Sequence, residues 1–125
     1  MDTFVNNPPY LIAADDEKDL LTLFEVSMKA KGYTVGISTN AKNLWALLRR
    51  KLPDVLFLDI QMGGVNGGEL CQQIKKKKET AGIPIVMLSA NDNVEEIAKQ
   101  CGADGFVHKP FKTEKILQEI ERILV

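Results

Sequence analysis

The feature that most constrains this 125-residue chain is a fivefold alternation of short apolar runs with longer amphipathic stretches. The apolar runs predict strands over residues 10–14, 33–38, 54–60, 83–88 and 105–108. The amphipathic stretches repeat apolar residues at helical spacing, which predicts a helix after each strand. Strands and helices that alternate in this way form a parallel sheet with right-handed crossovers and with helices on both faces.

Local signals indicate where the predicted helices begin and end. The first helix is expected over residues 18–31, before Gly32, and the fourth is expected to end before Gly102. Residues suited to capping helix N-termini precede three of the amphipathic stretches: Thr39 or Asn40, Asn91 or Asn93, and Thr113. The segment after the third strand, MGGVNGG, predicts a glycine-rich loop.

The third apolar run ends in a carboxylate. Val55-Leu56-Phe57-Leu58 has no polar interruption, as is typical of a strand buried on both faces, and Asp59 follows at once. An ionised carboxylate beside a dry interior is costly unless it is paired or binds a metal. Asp59 therefore either has partners from elsewhere in the chain or is a turn residue just outside the sheet.

Polar residues follow the other strands at equivalent positions. Asp15 and Asp16 follow the first strand, Ser89 the fourth and Lys109 the fifth. Because the carboxyl ends of parallel strands share one edge, these side chains should meet Asp59 there. Clustered carboxylates repel one another, and a hard divalent cation such as Mg²⁺ removes that conflict. We expect Asp16 and Asp59 to be direct ligands, with Asp15 acting through water and a loop carbonyl after Asp59 completing the set.

An aspartate beside Mg²⁺ can also attack phosphorus and form an aspartyl phosphate. Lys109 would neutralise one side of the transferred group as a point charge. The Ser89 hydroxyl and the backbone N–H groups of Ile60 and Ala90 would donate hydrogen bonds to its other oxygens. The same residues also allow a plainer interpretation, in which Asp15 and Asp16 only cap the first helix and Asp59 only begins a turn.

These residues, taken together, resemble a known family. The chain is similar to the receiver domains of bacterial two-component response regulators from residue 10 to residue 124. The matching motifs are Asp15-Asp16, the stretch LDIQM with Asp59, Gly67, Ser89-Ala90, and the stretch ADGFVHKPF with Lys109-Pro110. The resemblance implies a flavodoxin-like, doubly wound (βα)5 fold in three α/β/α layers. It also implies one receiver domain over residues 9–125 after a short lead-in, residues 1–8.

The resemblance assigns further roles within the predicted site. Asp16, Asp59 and the backbone carbonyl of Gln61 would coordinate Mg²⁺, with Asp15 beside them. Ser89 would move toward the phosphoryl group and the aromatic Phe106 would then turn inward. The peptide before Pro110 would be cis. In place of the family's usual proline after the methionine of this loop, Met62 is followed by Gly63-Gly64, which predicts a looser loop.

The resemblance also implies partners. A sensor histidine kinase or a histidine phosphotransfer protein would supply the phosphoryl group from a phosphohistidine. The output would pass to a downstream protein, or to an effector domain absent from this sequence, through the surface of the fourth helix, fifth strand and fifth helix. The family can also dimerise through that surface. The module would catalyse only its own phosphorylation and dephosphorylation.

Composition limits the other functions. The formal net charge of −1 offers no global attraction to nucleic acid or to anionic membranes. No apolar stretch reaches the length of about 18 residues that a membrane-spanning helix needs. Cys71 and Cys101 have no metal-binding or redox spacing in the sequence, which favours free thiols in a reducing cytoplasm.

Three alternatives on related chemistry remain at this point. A phosphatase of the haloacid-dehalogenase type would need a second aspartate two positions after Asp59, where Gln61 stands, and a longer chain for a cap. A flavin-mononucleotide module would bind phosphate after the first strand, where Asp15 and Asp16 would repel it. A degenerate receiver that only binds partners would lack the acceptor or the lysine, and both Asp59 and Lys109 are present.

Overall fold

A single parallel sheet organises the protein, and the structure, a computed structural model, describes residues 7–124. Its five strands lie in the order β2-β1-β3-β4-β5. The strands are β1 Tyr10–Ala14, β2 Thr34–Ser38, β3 Val55–Asp59, β4 Ile85–Ser89 and β5 Gly105–His108. The helices are α1 Lys18–Ala30, α2 Ala41–Arg50, α3 Gly67–Lys76, α4 Val94–Cys101 and α5 Thr113–Leu124. All pairings within this sheet are parallel, as the alternation predicts.

The core lies in two apolar layers, one on each face of the sheet, which confirms the predicted three-layer arrangement. Alternate residues of β3 point to opposite faces, so Leu56 and Leu58 pack with α2, α3 and α4 while Val55 and Phe57 pack with α1 and α5. The Phe57 ring contacts Phe24 of α1, with ring centroids 5.2 Å apart. Because both faces of β3 are covered, the strand is apolar up to Asp59.

Element boundaries differ from the predicted ones by up to two residues. Strand β2 begins at Thr34 and β4 begins at Ile85, because the residues before them form turn and loop backbone. Thr113 is the first residue of α5 and not the residue before it. The predicted cap at Asn40 is confirmed, since its side chain accepts a hydrogen bond from the Asn43 N–H at 2.8 Å.

The two ends of the chain are only partly described. Residues 1–6, most of the predicted lead-in, and Val125 lie outside the described residues. The proposed domain limits at residues 9 and 125 therefore stay predictions. Within residues 7–124, no helix combines the length and the apolar character that crossing a membrane requires.

The glycine-rich loop after β3 contains a short hairpin. Residues 61–62 and 65–66 pair as a two-residue antiparallel hairpin, and its turn residues Gly63 and Gly64 have φ values of +49° and +87°. Gly67 then starts α3 against the end of β3, and its N–H donates to the Ile60 carbonyl at 2.5 Å. A Cβ at position 67 would lie 2.8 Å from the Ile60 Cα, so only glycine permits this approach.

The register of the sheet brings the predicted site residues to one edge. Ala14 is level with Leu58, Asp59 with Leu88, and Ser89 with His108. The chain leaves β1 toward β2 on one side and returns to β3 on the other, so a crevice opens beyond the carboxyl ends of β1 and β3.

Candidate functional site

Three carboxylates meet in the crevice beyond β1 and β3. Ligand atoms from Asp15, Asp16 and Asp59 all lie within 4.8 Å of one another. Asp15 is completely buried and Asp59 is 6% exposed, whereas Asp16 is exposed at the mouth. The sequence prediction that these residues converge is confirmed, because parallel pairing of β1 and β3 brings their carboxyl ends side by side.

The backbone around Asp15 holds its side chain in place. The Asp15 N–H extends the pairing with β2 by donating to the Ser38 carbonyl at 3.0 Å. Its Oδ1 accepts a hydrogen bond from the Glu17 N–H, also at 3.0 Å. Glu17 occupies the N-cap position of α1 without a side-chain capping bond. Neither Asp15 nor Asp16 is therefore the N-cap residue of α1, although Asp15 accepts a bond from the residue that is.

Asp16 fastens the loop that follows β3. Its Oδ2 accepts a hydrogen bond from the Gly63 N–H at 3.1 Å, across 47 positions of sequence. This contact closes one side of the crevice and brings the glycine turn against the acidic residues. Glycine at position 63 supplies this N–H donor, which a proline at the same position would lack.

Lys109 supplies the ammonium that faces this cluster. Its Nζ lies 2.6 Å from Asp15 Oδ2, 3.2 Å from Asp59 Oδ1 and 3.2 Å from Glu17 Oε1. Two backbone features position it: its N–H donates to the Ser89 carbonyl at 2.9 Å, and its peptide bond to Pro110 is cis. Sequence reasoning missed Glu17, although its position directly after the acidic pair was the available signal.

Burial and neighbouring charge change the proton affinities of this cluster. Burial, together with the Asp15 charge, raises the pKa of Asp59 to about 6, although the Lys109 ammonium opposes this shift. For Lys109, burial alone would lower the pKa. The hydrogen bond and charge of Asp15, together with the charge of Asp59, outweigh that effect and raise it. Lys109 is therefore a permanent cation, while Asp59 carries an energetic cost when ionised.

The donor set suits a hard divalent cation. One buried oxygen, Asp15 Oδ2, pairs with the Lys109 ammonium at 2.6 Å and with no other donor among residues 7–124. The cluster holds four carboxylates, those of the three aspartates and of Glu17, against this ammonium, so three formal negative charges are uncompensated within the described residues. Carboxylate oxygens at this spacing are the ligands that Mg²⁺ prefers. The residues present therefore fit the predicted ion.

The cluster opens onto a cleft of about 170 Å³, which we call the acidic cleft. Its lining residues are Asp16, Glu17, Asp59, Gln61, Ser89, Ala90, Asn91 and Lys109. The Ser89 hydroxyl is nearly buried and accepts a hydrogen bond from the Asn91 N–H at 3.0 Å. Thus the Asp59 carboxylate, the Ser89 hydroxyl, the Lys109 ammonium and the loop residue Gln61 share one small volume.

Two predicted site residues lie elsewhere. The Ile60 N–H, expected to donate to a phosphoryl oxygen, instead donates to the Leu88 carbonyl at 3.0 Å, because Ile60 continues the pairing of β3 with β4. We correct that assignment. Phe106 is half-buried on β5, edge-on to His108 with ring centroids 5.9 Å apart, and does not line the acidic cleft. Its inward turn stays a prediction.

Phe106 instead belongs to a different face of the molecule. A groove of about 390 Å³ runs between α4 and α5 beside β5, and Phe106 lies in it with Lys99, Lys115 and Arg122. We call this face the α4-β5-α5 surface. The resemblance predicts that this surface reports phosphorylation.

Comparison with known proteins yields a family match and curated relatives. A model of the response regulator receiver domain matches residues 11–121. The phosphate regulon transcriptional regulatory protein PhoB of Rhizobium meliloti is 32% identical over 118 residues, which make up 93% of this chain and 52% of that protein. The chain thus spans about half the length of this relative.

Solved structures agree with the fold. The receiver domain of NtrX from Brucella abortus is 30% identical with a TM-score of 0.83, over 91% of this chain and 97% of that chain. The chemotaxis protein CheY4 of Vibrio cholerae is 23% identical with a TM-score of 0.85, over 93% of this chain and 98% of that chain. At that identity, the second likeness shows the shared CheY-like fold alone.

Proposed function

This chain belongs to the response regulator receiver domain family, and on that premise we propose that Asp59 is its phosphoacceptor. The observation that carries the proposal is the arrangement around Asp59. Its carboxylate opens onto a cleft, lies 3.2 Å from the Lys109 ammonium and lies beside Asp15 and Asp16. A structural aspartate would have no need of a buried cationic partner and two further carboxylates.

Each residue of the acidic cleft has a separate role in the proposed phosphoryl transfer. An Asp59 carboxylate oxygen forms the new bond to phosphorus, the bond from phosphorus to the donor nitrogen breaks, and the donor imidazole keeps that electron pair. Lys109 offsets charge on the transferred group, and the Ser89 hydroxyl and the Ala90 N–H donate hydrogen bonds to its oxygens. Asp16, Asp59 and the Gln61 carbonyl would hold Mg²⁺, which neutralises phosphoryl oxygen charge when bound.

The phosphoryl donor and the output follow from the family. We propose a phosphohistidine of a sensor kinase or of a phosphotransfer protein as the donor, in the cytoplasm. Ser89 is close to the acidic cleft, and the Lys109 N–H bonds to its carbonyl at the end of β5. A shift of Ser89 can therefore reach Phe106 and the α4-β5-α5 surface, where a downstream protein, an effector domain or a second copy would bind.

Intact mass tests the proposal directly. The protein is incubated with phosphoramidate, a small P–N donor, with Mg²⁺ or with a chelator. We expect one phosphoryl group per chain with Mg²⁺, little without it, and none in Asp59→Asn. Asp92→Asn is the matched control, because Asp92 is an exposed aspartate that does not line the acidic cleft.

Other outcomes would favour the alternatives. Equal phosphoryl gain in Asp59→Asn and in the wild type would reject Asp59 as the acceptor. No gain with any small donor or with a phosphorylated partner would indicate a receiver that only binds. Turnover of many phosphomonoesters per chain would instead indicate a phosphatase.

The metal site has a test that needs no phosphoryl donor. A cation that binds only the native state stabilises it by an amount that grows with the logarithm of its concentration, about 1.4 kcal/mol at ten times the dissociation constant. We expect Mg²⁺ to raise the thermal midpoint of the wild type and of Asp92→Asn. Asp16→Asn should abolish most of that increase, and an unchanged increase would reject Asp16 as a ligand.

A further inference from the structure

Two thiols lie against each other in the apolar layer between α3 and α4. Cys71 of α3 is completely buried and Cys101, the last residue of α4, is 4% exposed. The Cys71 Sγ donates to the Cys101 carbonyl at 3.4 Å, and the Cys101 Sγ donates to the Ala98 carbonyl at 3.5 Å. Neither cysteine lines the acidic cleft, and the proposed phosphorylation uses neither of them.

The two thiols differ in access to solvent. A groove of about 200 Å³ runs along the contact between α3 and α4, and Cys101 lines it beside Gln72 and Gln100. The Gln72 side chain bridges the groove by donating to the Gln100 carbonyl at 3.4 Å. Cys101 lines this groove, whereas Cys71 is completely buried and does not line it.

The two thiols also differ in acidity. The contact between the two thiols lowers the pKa of Cys101, whereas that contact together with burial raises the pKa of Cys71. The cysteine that lines the groove therefore carries the more acidic thiol of the two. A thiolate, and not a thiol, is the nucleophile in sulfur chemistry.

We propose that Cys101 and Cys71 form a dithiol site that reduces a small hydroperoxide and closes into an intramolecular disulfide. The Cys101 thiolate attacks the peroxide, so that an S–O bond forms, the O–O bond breaks and the leaving oxygen takes up a proton as water or an alcohol. The Cys71 sulfur then attacks the Cys101 sulfur. The S–S bond forms, the S–O bond breaks, and the departing hydroxide leaves as water with the Cys71 proton.

The disulfide would couple two elements that matter for the rest of the molecule. It would cross-link residues 30 positions apart and join α3, which starts beside Asp59 at Gly67, to α4 of the α4-β5-α5 surface. Fixing these helices to each other restricts the unfolded chain and should raise the denaturant midpoint of the oxidised protein. This inference does not depend on Asp59 accepting a phosphoryl group.

The test uses the folded full chain with hydrogen peroxide. We expect the intact mass to fall by two hydrogen atoms, a reductant to reverse the loss, and peptide mapping without reductant to link residues 71 and 101. In Cys71→Ser, the intermediate cannot be resolved, so a sulfenic acid at Cys101 should be trapped by dimedone. Cys101→Ser should give no adduct.

Several results would overturn the proposal. One is that both thiols of the wild type remain alkylatable after a peroxide exposure that oxidises glutathione completely. Another is a disulfide that forms only between chains, or only when the protein is unfolded in urea. Cys71→Ala provides a second variant for trapping if serine at position 71 prevents folding, with circular dichroism as the check on fold.

Discussion

The two edges of the same sheet use aspartate in opposite ways. At the edge where strands begin, Asp54 and Asp104 each lie just before a strand and pair with the first residue of a neighbouring strand. At the edge where strands end, Asp15, Asp16 and Asp59 crowd together. Aspartate thus stabilises the fold at the edge where strands begin, and its crowded charges destabilise the fold at the edge where strands end.

The pairing at the first edge is reciprocal. The Tyr10 N–H donates to Asp54 Oδ2 and the Asp54 N–H donates to the Tyr10 carbonyl, both at 2.7 Å. Ile85 and Asp104 exchange the same two bonds at 2.8 and 2.7 Å. Each carboxylate satisfies a backbone donor at the start of a strand, so the bonds add to stability.

At the second edge, backbone donors satisfy some of the carboxylate oxygens but not all of them. Asp15 Oδ2 is buried with only the Lys109 ammonium facing it, and the pKa of Asp59 is raised to about 6, chiefly by burial and then by the Asp15 charge. Charged groups that are held close without full compensation are typical of functional sites. The difference between the edges therefore separates aspartates that satisfy backbone donors from aspartates that crowd one another.

The largest loss of stability should come from removing Lys109, the one ammonium that lines the acidic cleft among residues 7–124. Lys109→Met leaves the fully buried Asp15 without its ion-pair partner, which typically costs about 3 kcal/mol when a buried pair is broken. Urea unfolding near neutral pH, with a chelator present, measures the loss. Lys112→Met, at an exposed lysine, is the control.

A double variant sharpens that prediction. Lys109→Met combined with Asp59→Asn removes one of the uncompensated charges and should recover part of the loss. If the two changes were simply additive, the proposed coupling between Lys109 and Asp59 would be absent.

The next largest loss of stability should come from a change at the edge where strands begin. Asp104→Ala leaves the partly buried Ile85 N–H without its acceptor and removes the ion pair with Lys75, whose Nζ lies 2.9 Å away. We expect a loss of about 2 kcal/mol in the free energy of unfolding. Asp104→Asn keeps an acceptor and should lose less. Equal losses in both variants would show that charge, and not the backbone bond, is what matters.

Asp59→Asn should raise the free energy of unfolding, whereas the preceding variants lower it. The shift in the pKa of Asp59 from 3.8 to about 6 corresponds to about 3 kcal/mol of unfavourable ionisation at neutral pH. The opposing Lys109 charge is already contained in this shift, and solvent in the acidic cleft screens part of the cost, so we expect a net gain of about 1–2 kcal/mol without divalent cations. Urea unfolding with a chelator measures this gain. A loss of stability in the variant would contradict the inference that ionised Asp59 destabilises the fold.

The titration of Asp59 should also make the stability of the wild type depend on pH. Native Asp59 holds its proton more tightly than the unfolded chain, so through this group the wild type loses stability as pH rises from 3.8 to about 6. Asp59→Asn lacks this titration. The gap between the two proteins should therefore be widest above pH 6 and should close as pH falls toward 3.8. Parallel pH profiles would reject the raised pKa.

The smallest effect is expected at Asp54. Its bond to the Tyr10 N–H lies in an exposed setting, where water can replace the lost acceptor. Asp54→Ala should therefore cost about 1 kcal/mol, less than Asp104→Ala. A cost equal to that of Asp104→Ala would show that neither the exposure of the Asp54 bond nor the Lys75 ion pair of Asp104 distinguishes the two sites.

Much of the fold could be predicted because its signals are local. The uninterrupted run Val55 to Leu58 indicates a strand covered on both faces, and apolar spacing indicates each helix. Boundaries such as the start of β4 at Ile85 could not be predicted, because Ile83 is as apolar as the strand itself and only the pairing partner ends the ladder.

The site was predictable to the level of which residues meet. Strand ends that carry Asp15, Asp59 and Lys109 must converge if the sheet is parallel. The partner of each polar atom was not predictable, since the Ile60 N–H bonds to Leu88 and Glu17 reaches Lys109 across 92 positions. Such contacts depend on the register and on side-chain reach, and no sequence spacing encodes either of these.

By itself, the sequence determined the order of strands and helices, the chemical types at each strand end and the family. Periodicity and turn residues act over a few positions, so they can be read without coordinates. Only the tertiary structure decided that Asp15 is completely buried, that Lys109 faces three carboxylates, and that Cys71 contacts Cys101. These are through-space relations between distant segments, and burial and charge act through space.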